Sequence, residues 1–118
     1  MNYKVSIEFN NERDVCFSAH EDDKQIGHIN AWIVVDEIQI NDVFVDESHR
    51  HQGIASAMFK RLLDFAHEHN CKKISLEVRA DNEVAQALYS KFGFVQVGLR
   101  KDFYSNPTDD AILMDAVL

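Results

Sequence analysis

Long apolar runs, proline, glycine, cysteine and basic charge are all scarce in this chain. No stretch of the 118 residues has the length and hydrophobicity of a membrane-spanning helix. Met1 is not followed by the basic, apolar and small-residue blocks of a secretion signal. The sequence therefore reads as that of a soluble, cytoplasmic protein. One proline, Pro107, and four glycines leave no linker, repeat or low-complexity segment. Two cysteines, Cys16 and Cys71, make no disulfide framework; each lies beside a predicted strand and reads as a small core residue rather than a redox centre. Twelve Lys and Arg against 20 Asp and Glu give a net charge of -8. The clustered cations that a sequence-independent nucleic-acid binder needs are missing. The acidity suits a cationic partner such as an amine, and suits ordinary solubility equally well.

What is present is a chain that is 46% hydrophobic, enough for the core of one domain over residues 1–118. Tyr3, Val5, Ile7 and Phe9 alternate with Lys4, Ser6 and Glu8, the pattern of a half-buried strand. Further strands are predicted over Asp14–His20, Gln25–Val35 and Ile38–Val45, with Ile29, Ala31, Ile33 and Val35 on one side of the third. Turn residues between them make an antiparallel meander. The period then changes: Ala55, Met58, Phe59, Leu62 and Ala66 recur at helical spacing, which predicts a helix from near Gly53 to near Asn70. A strand over Lys73–Arg79, a helix over Glu83–Lys91 and strands over Phe94–Tyr104 and Ala111–Val117 complete the order. This is an α/β domain with a mixed sheet, and the strand–helix–strand crossover makes the strands on either side of the long helix parallel.

The junction before the long helix reads Val45-Asp46-Glu47-Ser48-His49-Arg50-His51-Gln52-Gly53-Ile54-Ala55-Ser56. The first amides of a helix lack internal partners and point outward at the positive end of its dipole, where an anion can be held. Glycine and small residues allow close approach, and Arg50 adds a charge at the same mouth. Taken alone, the segment fits either an anion site or an ordinary helix start. It has neither the Rossmann nor the Walker glycine spacing.

Arg50-x-x-Gly53-x-Ala55 matches the pyrophosphate-binding motif of the GCN5-related N-acetyltransferases. Leu76-Glu77-Val78-Arg79-Ala80-Asp81-Asn82, Ala85, Ala87-Leu88-Tyr89, Lys91-Phe92-Gly93-Phe94 and Val97-Gly98 resemble the subgroup that acetylates a ribosomal-protein alanine. Lys101-Asp102-Phe103-Tyr104 and Asp110-Ala111-Ile112-Leu113-Met114 extend the similarity. Several motifs agree in order and spacing over roughly two-thirds of the chain, which is far more specific than any one of them. The resemblance implies that acetyl-coenzyme A is the cosubstrate and that a primary amine is the acceptor, whether a protein N-terminus, a lysine or a small-molecule amine. It implies that backbone groups of Val43, Phe44 and Val45 face the pantetheine arm, one amide donating to the thioester oxygen as that atom gains charge. It further implies that His51, Gln52, Gly53, Ile54, Ala55 and Ser56 cradle the pyrophosphate and that the Asn82 amide touches the coenzyme, although Asn82 also reads as a plain helix cap.

An α-amine has a pKa near about 8 and a lysine amine one near about 10.4, so either must lose a proton before attack at neutral pH. Glu77 is the candidate base. It lies mid-strand on the face opposite Ile74, Leu76 and Val78, and burial in a covered sheet would raise its basicity. The other reading is a solvated glutamate on an open face. Tyr89 is the candidate acid for the leaving thiolate, against the alternative of an aromatic ring packed on the sheet. The matching residues of the resembled subgroup hold these two roles. Tyr104 is a weaker candidate for acceptor binding. Neither cysteine has a histidine-containing motif beside it. The six histidines read as surface or loop residues, and no metal is expected.

The resembled domain usually carries two helices between its first two strands, which wall the acceptor site. Here only Asn10 to Arg13 join those strands, a hairpin-sized connection. Two readings follow: a large acceptor such as a protein N-terminus lies across the surface, or a second copy completes the site as a homodimer. A catalytically silent coenzyme-binding or interaction module is the alternative from another class. Retention of both Glu77 and Tyr89 argues against it.

Overall fold

The computed structural model describes residues 3–50 and 52–118. Strands β1 (Lys4–Phe9), β2 (Asp14–Glu21), β3 (Lys24–Val34) and β4 (Glu37–Val45) form the antiparallel meander that the alternation and turn signals predict. Helix α1 (Ile54–Glu68) leads into β5 (Lys73–Arg79), helix α2 (Glu83–Lys91), β6 (Val95–Tyr104) and β7 (Asp109–Val117). The sheet order is β1-β2-β3-β4-β5-β7-β6, and β4 and β5 are parallel. Phe9 and Asp14 are joined by a tight loop in which Asn11 Oδ1 accepts from the amides of Arg13 (2.8 Å) and Asp14 (3.0 Å). The two helices of the fuller domain are therefore replaced by an Asx-type turn.

Both helices cover one face. Phe65 of α1 meets Phe17 of β2 edge-on at 5.4 Å, and Phe59 of α1 lies 5.3 Å from Tyr89 of α2. Val15, Phe17, Ile29, Ala31, Ile38, Ile74, Leu76, Val78 and Met114 face these helices in one buried cluster. The other face carries polar alternates, among them Cys16, Ser18, His20, His28, Asn30, Asp42 and Glu77, and no described helix covers it. Cys71 is buried in the core as expected, but Cys16 is not a core residue: it sits on the open face, half-buried. Gly27 shows why α1 can lie so near β3. A Cβ there would come within 3.0 Å of the Phe44 carbonyl oxygen and 3.1 Å of Met58 Cε.

Val35 differs from expectation. It is 93% exposed at φ 58, in the turn between β3 and β4, and belongs to neither strand. The hairpin places its tight turn at Val35 and Asp36, one residue earlier than the Asp36-Glu37 signal suggests.

Candidate active site

A break in the sheet makes the site. β4 pairs with β3 as Asn30↔Asp42 and then Ala31↔Ile40, so Asn41 is an extra residue, a β-bulge. On its other side β4 pairs with β5 only through Glu37↔Lys73, Ile38↔Ile74 and Gln39↔Ser75. Beyond Gln39 and Ser75 the two parallel strands diverge, and the remainder of β4, including Val43, Phe44 and Val45, has no strand partner on that edge. The backbone groups that this fork leaves without a strand partner are free for water or for an extended ligand. The Val45 carbonyl is already taken by Arg50 Nε at 3.2 Å. Arg50 thus braces the end of β4 as well as standing at the mouth.

At the mouth, Gly53 is the residue before α1, at φ 78, with no side-chain cap and no acidic residue in the first turn. A Cβ on Gly53 would meet no described atom within 4 Å beyond its chain neighbours. The side-chain position of Gly53 is thus open among the described residues, and the first amides of α1, at Ile54, Ala55 and Ser56, have no partner within the helix, an arrangement that suits an anion. Gln52 and Gly53 are exposed at this opening; His51 lies outside the described residues. The loop before them is clamped in a way the sequence reading missed. A 3-10 turn over Glu47–His49 lets Asp46 Oδ2 accept from Ser48 Oγ (2.7 Å) and bond His49 Nδ1 (2.9 Å). His49 Nε2 reaches Glu21, the last residue of β2, at 3.3 Å. The Asp46 bond, then the Glu21 bond, raises the His49 pKa. Ser48 and then His49 lower that of Asp46. The sign follows for each group: the His49 pairing is complete below its ordinary range and lost as pH rises through its raised value, while the Asp46 charge survives to lower pH than usual. The clamp is therefore closed between those limits.

Polar side chains from β5, α2 and β6 lie beside the fork. Glu77 projects from β5 on the open face, with 28% of its side chain exposed and Arg100 Nη2 at 3.7 Å. The covered sheet expected around Glu77 is not there; an arginine, rather than burial, is its main company. Tyr89 comes from the helix side. Its ring is buried against Phe59 and Phe94. Its hydroxyl has no partner among the described residues, and no fully buried polar atom there is left unpaired, so the oxygen reaches solvent. Burial, then the nearby Tyr104 and Asp42, pushes the Tyr89 pKa up to about 12. Tyr104 is raised by burial first and by Glu77 next, while Arg79, over its ring at 4.6 Å, opposes. The Arg79 guanidinium also donates to the Pro107 (3.0 Å) and Ser105 (3.2 Å) carbonyls, holding the β6–β7 loop beside the site.

Asn82 caps α2, its Oδ1 accepting from the Ala85 amide at 3.1 Å. Gln86 Nε2 donates to the Arg79 and Ala80 carbonyls at 3.0 Å each, locking α2 to the end of β5. His20 and His28 lie on the strands predicted for them, but they are not idle surface groups. Both are half-buried on strands, His20 bonded to Ser18 at 2.9 Å and His28 to Asp42 at 2.7 Å. Together with Glu8, Asn10, Cys16, Ser18, Gln25 and Asn30 they line a polar groove of about 320 Å³ across the open face.

Residues 2–94 match the family model described as the acetyltransferase (GNAT) family. A Bacillus subtilis (strain 168) protein provisionally named a ribosomal protein bS18-alanine N-acetyltransferase is 35% identical over 88 residues, which are 75% of this chain and 58% of that protein. The ribosomal protein bS18-alanine N-acetyltransferase of Escherichia coli (strain K12) is 30% identical over 105 residues, 87% of this chain and 71% of the relative. The crystal structure of the Escherichia coli ribosomal-protein-S18-alanine N-acetyltransferase superposes with a TM-score of 0.87, covering 92% of this chain and 71% of that one. A GNAT family acetyltransferase from Elizabethkingia anophelis, crystallised with acetyl-CoA bound, shares the fold at a TM-score of 0.86 and 17% identity, each chain covered to 99%. The short fold without helices between its first strands thus matches a solved structure along nearly its whole length.

Proposed function

Since the chain belongs to the acetyltransferase (GNAT) family, we propose that it carries acetyl from acetyl-coenzyme A directly to a primary amine, with a protein N-terminus as the favoured acceptor. The observation that carries this reading is the fork: an unpaired edge of β4 runs from beneath an uncapped helix N-terminus to a carboxylate and a phenol. The α1 amides and Arg50 hold the pyrophosphate. The free edge of β4 around Val43 takes the pantetheine arm, and an amide there faces the thioester oxygen as that oxygen gains charge. Glu77 receives the proton of the attacking amine. An N-terminal acceptor is supported by the names of the relatives and by the open face, across which a chain end can lie.

Tyr89 faces the departing sulfur. With its pKa at about 12 and a thiol near about 8.5, complete transfer of the phenolic proton is uphill by roughly 5 kcal/mol. The phenol therefore works mainly as a fixed hydrogen-bond donor to the sulfur as charge grows there. Tyr89→Phe should lower turnover by about tenfold to a hundredfold, the range for one hydrogen bond to a charged group, with little change in acetyl-coenzyme A affinity. A large loss of affinity instead would mean that the hydroxyl binds the coenzyme. Because the phenol stays protonated up to about 12, the wild-type rate should rise with pH and level off, with no falling limb in the ordinary alkaline range.

The test of the activity is incubation with acetyl-coenzyme A and a panel of alanine-ended peptides, lysine peptides and polyamines, following free thiol and acceptor mass. Acetylated N-termini are expected. Coenzyme binding without thiol release from any acceptor would instead assign a silent binding module.

A further inference from the structure

Resting on the acetyl-transfer reading above, we propose that Asp42, held in place by His28, binds the ammonium form of the acceptor at the fork before Glu77 takes its proton. Asp42 is the residue just after the bulge in β4, paired with Asn30 and exposed on the same open face as Glu77. Gln39↔Ser75 is the last pair joining β4 to β5, so Asp42 and Glu77 stand on opposite arms just past the point of separation.

The two carboxylates are differently supplied. Glu77 has the Arg100 guanidinium at 3.7 Å. Asp42 has only an imidazole: His28 Nε2 lies 2.7 Å from Asp42 Oδ2, and Oδ1 has no partner among the described residues. The His28 side chain is 24% exposed and that of Asp42 is 59% exposed, so the half-buried histidine is the holder and the carboxylate the presented group. The His28 ring is backed by Phe44, stacked at 5.5 Å. An ionised carboxylate accepts from the Nε2–H of a neutral imidazole, which fixes one oxygen and leaves the other for a cation. The bulge gives this arrangement its aim. It shifts the alternation of β4 by one residue, so that Asp42 faces the acceptor side while Val43 turns toward the core.

Asp42 is then a specificity residue that touches the acceptor, and His28 is a positioning residue that acts through it. The test compares Michaelis constants for a cationic alkyl amine and for an aromatic amine that is uncharged at neutral pH. Asp42→Asn should raise KM for the alkyl amine by about tenfold, the scale of one charge-assisted hydrogen bond. Its kcat, its acetyl-coenzyme A affinity and its KM for the aromatic amine should stay near wild type. His28→Ala should move KM in the same direction, and His28→Gln, which keeps a donor, should restore much of the loss. A variant Asp42→Asn whose two KM values are unchanged, or rise together, overturns the inference while leaving the activity standing. A wild-type chain that acetylates neither amine nor any peptide removes the activity and this inference together.

Discussion

Replacing Glu77 by Gln should lower turnover on a primary amine by about a hundredfold to ten-thousandfold at neutral pH, the usual contribution of one positioned base. Glutamine keeps the size and leaves the Arg100 contact as a neutral one, so coenzyme affinity should hold. The deficit should then shrink as pH rises, because solvent removes the proton that Glu77 would have taken. The free-amine fraction grows about tenfold per pH unit up to the amine's own pKa, near about 8 for an N-terminus and about 10.4 for lysine. The pH at which rescue levels off therefore also reports which kind of amine is acetylated. Parallel pH–rate profiles for Glu77→Gln and wild type would show that Glu77 takes no proton, and would shift that role to a water chain or another group at the fork.

The second large effect is expected at Gly53. Its φ of 78 is one that a β-branched side chain adopts only at a cost of about 1–2 kcal/mol. Among the described residues, chain neighbours aside, nothing lies within 4 Å of the added Cβ, so Gly53→Val should still fold, with a lowered Tm. The side chain would occupy the space in front of the Ile54, Ala55 and Ser56 amides. Loss of even two charge-assisted hydrogen bonds, about 1.5–3 kcal/mol each, weakens acetyl-coenzyme A binding by a hundredfold or more. Gly53→Ala separates the two causes, since it carries the backbone strain with little bulk. Unchanged affinity in a folded Gly53→Val protein would place the pyrophosphate elsewhere.

Much of this was legible from the residues. β5 and α2 lie where alternation and helical spacing put them, at Lys73–Arg79 and Glu83–Lys91, because each has a strong local period bounded by turn or capping residues. Asn82 caps α2 as its position suggests. The bulge also had a signature that simple strand counting passed over. In β4 the aliphatic residues are Ile38 and Ile40, then Val43 and Val45, with Phe44 on the other face; the parity switches between Ile40 and Val43, where Asn41 is the extra residue. What sequence could not supply were relations between distant segments. That both helices share one face, leaving Glu77 on an uncovered sheet, follows from packing of Phe59 and Phe65 against residues far along the chain. The His28–Asp42 and His49–Glu21 pairs join residues on different strands or loops. No spacing rule finds them, and so the histidines read as idle surface groups.

The most direct test of the account is calorimetric titration at physiological salt of acetyl-coenzyme A and, in parallel, of acetylated pantetheine, which has the arm and thioester but no pyrophosphate. One acetyl-coenzyme A should bind per chain, and the truncated molecule should bind far more weakly because the α1 amides have nothing to hold. Absence of heat with acetyl-coenzyme A, or equal affinity for the two compounds, would contradict the claim that the helix mouth and the fork form one coenzyme site.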